Sequence, residues 1–191
     1  VFALESSIDE LSYLAKADPV EFRLRHMKDE RARAEMELAR DKFGWADAAE
    51  LPEGRGRGFA FARYKNHAAY LALAVELDAE RDTGRARLVR ATAAIDSGEI
   101  VNPDGIRNQT QGGILQAARW TLFEAVTFND RRVTSVDWAS YPILRFADVP
   151  EQIDVHIIDR PGEAFLGTGE AAQGPTAAAL ANALRHATGK R

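Results

Sequence analysis

One carboxylate stands out by its setting. Glu170 lies in Gly167-Thr-Gly-Glu-Ala-Ala-Gln-Gly174, a glycine-spaced stretch directly ahead of an alanine-rich helical run. Glycines let backbone approach a ligand closely, and a single acidic group in such a loop is suited to accept a proton. Taken alone, Glu170 has a competing reading as an ordinary loop residue that stabilises a helix start. A second group, Gln109, Gln111, Gly112 and Gly113, falls within about one turn of a helical pattern. Glycine inside a helix costs about 1 kcal/mol relative to alanine. Two in a row therefore need a reason: close helix packing is one, close approach of a cofactor the other. His26, His67, His156 and His186 lack the spacing of a metal site, so structural or surface roles are expected of them and no metal ligand is assigned. Cysteine is absent, which excludes disulfides, thiolate nucleophiles and iron–sulfur ligation by this chain.

The elements that must hold these groups can be read from periodicity. Residues 4–43 are helical in pattern, with Leu4, Ile8, Leu11 and Ala15 spaced to form one apolar face. Asp18-Pro19-Val20-Glu21 supplies a capping residue and a proline at a helix start, with Phe22, Leu24 and Met27 behind it. A further helix over Arg31 to Phe43 carries Ala32, Met36, Ala39 and Phe43 in one stripe and stops at Gly44. Gly54-Arg-Gly-Arg-Gly58 precedes a strand pattern, whereas a dinucleotide loop follows one, so the expectation is a flexible junction between a helical segment (1–53) and a sheet-plus-helices segment (54–191).

The period then changes to two. Ala69, Leu71, Leu73, Val75 and Leu77 alternate up to Asp78, and Arg81-Asp-Thr-Gly84 predicts a hairpin turn into a strand over Arg85 to Ile95. Both faces of these strands are apolar, so the sheet is expected to be covered on both sides. Asn102-Pro103 opens a helix whose inner stripe is expected at Ile106, Gly113, Ala117, Trp120 and Phe123 or Glu124. Strands are predicted over Arg132 to Trp138 and Gln152 to Asp159, and a last helix over Pro175 to Thr188, stopped by Gly189. The predicted class is α+β, a largely antiparallel sheet with packed helices.

Composition narrows the partners. The net charge of −4 gives no electrostatic footprint for nucleic acid. No apolar run approaches the roughly 20 residues of a membrane-spanning helix. Hydrophobic residues at 46% are enough for a packed core, so disorder is not expected. The opening Val1-Phe-Ala-Leu4, without a methionine or a leader pattern, suggests a piece of a longer polypeptide.

Four ordered segments carry a resemblance: Glu5-Ser-Ser-Ile-Asp-Glu10 with Asp18-Pro-Val-Glu-Phe-Arg23; Ala94-Ile-Asp-Ser-Gly98 with Val101-Asn-Pro-Asp-Gly105; Gln109-Thr-Gln-Gly-Gly113; and Gly167-Thr-Gly-Glu170 with Ala181-Asn-Ala183 and Thr188-Gly189. In their order and spacing the chain resembles the C-terminal part of the molybdenum-binding subunit of the xanthine dehydrogenase and aldehyde oxidase family, of the isoquinoline 1-oxidoreductase β-subunit type. The resemblance implies a molybdenum–pterin (molybdopterin) cofactor, with a cytosine dinucleotide form among the alternatives. It also implies oxidative hydroxylation of an aromatic N-heterocycle or aldehyde with water-derived oxygen. Glu170 matches the family's catalytic base, which takes the proton of the molybdenum-bound hydroxyl. Gln109, Gly112, Gly113, Gly169 and Ala171 match cofactor-side positions, the last two through their backbone.

The implied partners are the remainder of the molybdenum subunit, an iron–sulfur subunit and the small substrate. Gln111 stands where many members have glutamate, and Gln116-Ala117 replaces a glutamine–glycine pair, which bears on the details of cofactor contact. The family's earlier pterin-binding loops and substrate pocket have no counterpart in this chain. A catalytically silent assembly module is therefore the alternative expected of the chain taken by itself.

Overall fold

The computed structural model describes residues 1–47 and 51–191, so positions 48–50 of the expected helical segment lie outside the described residues. Helices begin where side chains satisfy the first backbone N–H groups. Asp18 accepts from the N–H of Val20 and Glu21 to start α2 (Pro19–His26), Asp29 accepts from Arg31 and Ala32 to start α3 (Glu30–Phe43), and Asn102 accepts from Gly105 to start α4 (Pro103–Leu122). Gly44 and Gly189 end α3 and α5 (Gln173–Thr188) in the left-handed conformation, with φ of 73° and 74°. A further helix, α1 (Phe2–Leu14), precedes these.

Four strands form one sheet in the order β1 (Arg55–Arg63), β2 (Tyr70–Ala79), β3 (Ala86–Asp96), β4 (Gln152–Ile158). The first three pair antiparallel, and β4 runs parallel to β3. That parallel pair needs a crossover, which α4 and the stretch after it provide. Alternation along β2 divides the core in two. Leu71, Leu73, Val75 and Leu77 meet Ile106, Ile114 and Ala118 of α4 and Ala178, Ala179, Leu180 and Ala183 of α5. Tyr70, Ala72 and Ala74 face the other side, with Val20, Leu24, Ala32, Met36, Ala39 and Phe43 of α2 and α3. Both faces of the sheet are thus covered, as the two-sided apolar pattern predicts.

Several expectations are corrected. Gly54–Gly58 is no hinge: Gly56 and Gly58 lie inside β1, where α5 runs across them. A Cβ on Gly58 would sit 2.1 Å from the Ala179 carbonyl oxygen, and one on Gly56 2.1 Å from that of Ala183. The glycines are there because a helix backbone rests on the strand.

The run Arg132 to Trp138 is not a strand and contributes one antiparallel bridge, Phe128 to Val133. It is not part of the four-stranded sheet, and Asp137 Oδ1 accepts from the N–H and Oγ of Ser140 in a local turn. On α1 the expected face is turned outward. Leu4 and Leu11 are exposed, while Glu5, Ser6, Asp9 and Ser12 are buried. Arg23, itself buried, donates to Glu5 Oε2 at 2.9 Å, the Phe61 N–H donates to the same oxygen, and Arg191 reaches Asp9. Those charges decide which side of the helix faces in. On α4 the expected Ile106, Gly113 and Ala117 are buried, but Trp120 is largely exposed and Thr110, Ile114 and Ala118 complete the inner stripe.

Candidate functional site

The loop before α5 and the first half of α4 come together. Gln109, on an exposed face of α4, donates from Nε2 to the Gly169 carbonyl at 2.6 Å. Gly112, one turn further on, shares that face by helical spacing, and a Cβ built on it would meet nothing within 4 Å. Gly113 behaves differently, since its missing Cβ leaves room for the Ala172 methyl at 3.2 Å. The packing reading of the glycine pair thus holds at Gly113, while Gly112 faces open space. Gln111 points elsewhere, donating to the Ile153 carbonyl of β4 at 3.0 Å.

Glu170 is exposed, and Tyr64 Oη donates to its Oε2. Its backbone carbonyl accepts from Gln173 N–H at 3.3 Å, so a turn runs from this residue into the start of α5. The side chain does not cap that helix, because α5 has no side-chain cap and the carboxylate is turned to Tyr64. A capping hydrogen bond therefore does not explain the carboxylate. Gly167 and Gly169 have open space where a Cβ would be, whereas Ala171 and Ala172 are buried in the core shared by α4, α5 and the sheet.

Tyr64 and Lys65 are the site residues that sequence reasoning missed. They lie on a short 3-10 turn after β1 (Tyr64–Asn66), in which Lys65 and Asn66 take φ of 50° and 61°. Two successive non-glycine residues in the left-handed region are costly and need surrounding structure to hold them. The Tyr64 N–H donates to the Ala69 carbonyl, and the Ala69 N–H to the Gly167 carbonyl at 3.2 Å, which ties this turn to the glycine loop. The bond to Glu170 is the first cause that holds the Tyr64 phenol above its ordinary pKa, so it remains a proton donor to the carboxylate.

A cleft of about 430 Å³ is lined by Tyr64, Lys65, His67, Phe165, Gly169 and Glu170, among others. A second, of about 280 Å³, is lined by Asn102, Gly105, Ile106 and Thr168 and shares Phe165 and Leu166 with the first. An exposed carboxylate and glycine backbone thus border the first cleft, which adjoins the second through Phe165 and Leu166.

The sequence profile of the molybdopterin cofactor-binding domain family matches residues 5–150. The chain is 40% identical over 203 residues to one of the subunits of nicotinate dehydrogenase from Pseudomonas putida, a match covering all of this chain and 17% of that protein. It is 30% identical over 191 residues to the β chain of isoquinoline 1-oxidoreductase from Brevundimonas diminuta, covering 99% of this chain and 24% of that protein. The chain thus spans less than a quarter of the length of either relative. Among solved structures, quinoline 2-oxidoreductase from Pseudomonas putida 86 superposes with a TM-score of 0.58 at 28% identity, over 63% of this chain and 16% of that one. The aldehyde oxidoreductase from Desulfovibrio gigas superposes over 100% of this chain and 38% of that one with a TM-score of 0.81, at an identity of 13% that speaks to the fold alone.

Proposed function

The chain belongs to the molybdopterin cofactor-binding domain family, to the molybdenum-binding subunits related to xanthine dehydrogenase, and on that premise we propose that it forms one wall of a molybdenum hydroxylase active site with Glu170 as the base. The reaction is oxidative hydroxylation of an aromatic N-heterocycle or an aldehyde with oxygen from water. The names of the two bacterial relatives favour the N-heterocycle. The rest of the molybdenum-binding polypeptide supplies the other cofactor loops and the substrate pocket, and an iron–sulfur partner takes the electrons. A cytosine dinucleotide extension of the pterin is one form the cofactor can take.

The observation that carries this reading is the Gln109–Gly169 hydrogen bond, which sets an open glutamine–glycine helix face directly beside Glu170. The residues fit a bulky, polar, planar group: Gly112, Gly167 and Gly169 present backbone with nothing within 4 Å of a built Cβ, and the Gln109 amide lies at their edge. Gln109, Gly112 and the backbone at Gly169 and Ala171 would hold it, and Gly113 keeps α4 close enough to α5 for that face to form. When bound, the group supplies the electron acceptor and the Lewis acidity that eases removal of a water-derived proton.

The chain's own residues place and receive that proton. Tyr64 holds Glu170 Oε2, so Oε1, which has no hydrogen bond among the described residues, is the atom that accepts it. Gln109 fixes the peptide immediately before Glu170, and Gln173 N–H fixes its carbonyl, so the carboxylate swings on a backbone held at both sides. The test is steady-state turnover of an N-heterocycle and an aldehyde by the complete enzyme carrying Glu170→Gln. A loss of about 10²-fold or more at unchanged molybdenum content is expected. Full turnover would remove Glu170 from the reaction.

A further inference from the structure

Ser97 lines the second cleft, but Asp96 and Gly98 beside it take no part in the site described above, and this stretch holds a set of contacts to the segment that leads to Glu170. We propose that Asp96 is a positioning residue for the base, clamping through Arg160 the irregular segment that carries Glu170. This inference rests on the reading of Glu170 given above and extends it.

Asp96 ends β3 with its side chain fully buried. It accepts from Arg31 Nε at 3.0 Å, from Arg160 Nε at 2.9 Å and from the Gly98 N–H at 2.9 Å, and Arg31 adds a second bond through Nη2. Burial by itself raises the pKa of such a carboxyl, but the hydrogen bonds from Arg31, the Gly98 amide and Arg160 hold it below its ordinary value. Glu35 on α3 is also buried, and burial first, then the charge of Asp96, push its pKa well up. Neither carboxyl oxygen of Glu35 has a hydrogen-bond partner among the described residues, so the Nε atoms of both arginines go to Asp96, and a buried carboxylate satisfied in this way fixes the geometry of its partners.

Arg160 stands two residues beyond the end of β4, at the start of the path to Glu170. The same short turn grips that path through backbone. Gly98 O accepts from Arg160 N–H at 3.2 Å, Ser97 O accepts from Leu166 N–H at 2.6 Å, and Glu99 N–H donates to Glu163 O at 3.4 Å. Gly98 has φ of 74°, and a Cβ there would sit 2.0 Å from the Ala164 carbonyl oxygen, so the two segments touch backbone to backbone. The segment from Asp159 to Ala172 has no helix or strand of its own to place the carboxylate. Its position is fixed by these contacts together with the Gly167 bond to Ala69, the Gln109 bond to Gly169 and the Tyr64 bond to Glu170. A base displaced by about 1 Å can lose about 10²-fold in rate, so a buried aspartate remote from the reacting atoms governs kcat.

The experiment uses the complete molybdenum enzyme with Arg160→Gln, which removes one arm while Asp96 keeps Arg31 and the Gly98 amide. Hydrogen exchange of peptides from 160–172, molybdenum content, kcat and KM are measured together. Exchange in 160–172 is expected to quicken while β1–β3 peptides are unchanged, and kcat to fall by about tenfold, within the range set by small misplacements, at unchanged KM and molybdenum content. Arg160→Lys, which keeps the charge but not the planar fork, is expected to show the same pattern more weakly, and decides the matter if Arg160→Gln does not assemble. Unchanged exchange with unchanged kcat overturns the clamp, as does a loss of kcat that only follows loss of molybdenum. Failure of the Glu170 reading is separate: Glu170→Gln would turn over in full, whatever the exchange of 160–172.

Discussion

Two glycine-rich regions of this molecule look alike in sequence and do opposite things. In the β1–α5 seam, Gly56 and Gly58 are filled from outside: carbonyl oxygens of α5 occupy the space a Cβ would need, and Asn182 Nδ2 locks the seam by donating to the Phe59 carbonyl at 3.0 Å. On the α4–loop face, Gly112, Gly167 and Gly169 have nothing within 4 Å of that position. A glycine used for packing is recognised by the atoms that replace its side chain. A glycine that faces empty space in a protein with a carboxylate and an amide beside it leaves room for something else. Gly113, with the Ala172 methyl at 3.2 Å, marks the boundary between the two uses.

Substitutions can break or sharpen that contrast. The largest effect is expected from Gly58→Ala, whose Cβ meets α5 backbone that cannot move aside: a loss of about 3 kcal/mol, read from urea unfolding of the complete protein. A cost below about 1 kcal/mol would mean the seam is looser than its contacts imply. On the open side, Tyr64→Phe removes the donor to Glu170 Oε2 and is expected to lower kcat several-fold without changing stability; an unchanged kcat would leave the tyrosine a bystander.

Acid should separate the regions next. In the seam His186 Nδ1 accepts from the Arg57 N–H, and burial first, then the Arg57 charge, lower its pKa. A depressed folded pKa means stability that is present above the ordinary histidine value of about 6.5 and is lost as pH falls. Asp96, also depressed, contributes stability that is present above the ordinary aspartate value of about 3.9 and is lost only as pH falls below it. Stability measured at pH 5 and pH 7 is therefore expected to fall on acidification in the natural protein and to fall less in His186→Gln, with the Asp96 contacts intact throughout. The smallest change is expected from Gly112→Ala: a gain of up to about 1 kcal/mol from helix propensity, with less molybdenum retained per protein. Full molybdenum content in that variant would take Gly112 out of the cofactor wall.

Local signals were legible where one element sufficed. The Asp18 and Asn102 caps, the Ala32–Met36–Ala39–Phe43 stripe, the Gly84 turn of the hairpin and the stop at Gly189 all follow from nearest neighbours, and the structure has each. Features set by distant partners were not legible. Gly56 and Gly58 resemble a linker until α5 arrives from the far end of the chain. The buried side of α1 is polar because Arg23 and Arg191 reach it, which no helical period can reveal. The run Arg132 to Trp138 has strand composition, yet it pairs only through the single Phe128–Val133 bridge and lies outside the four-stranded sheet. For the site, Glu170 and Gln109 were found through motif order, whereas Tyr64 is separated from Glu170 by 106 positions and carries no local signal.

The central claim is that Glu170 takes the proton in the chemical step. The most direct measurement is single-turnover reduction of the molybdenum centre by substrate in the complete enzyme, comparing the natural protein with Glu170→Gln at equal molybdenum content. A rate lower by about 10²-fold or more, with substrate binding unchanged, is the expected result. Equal rates in the two proteins would contradict it.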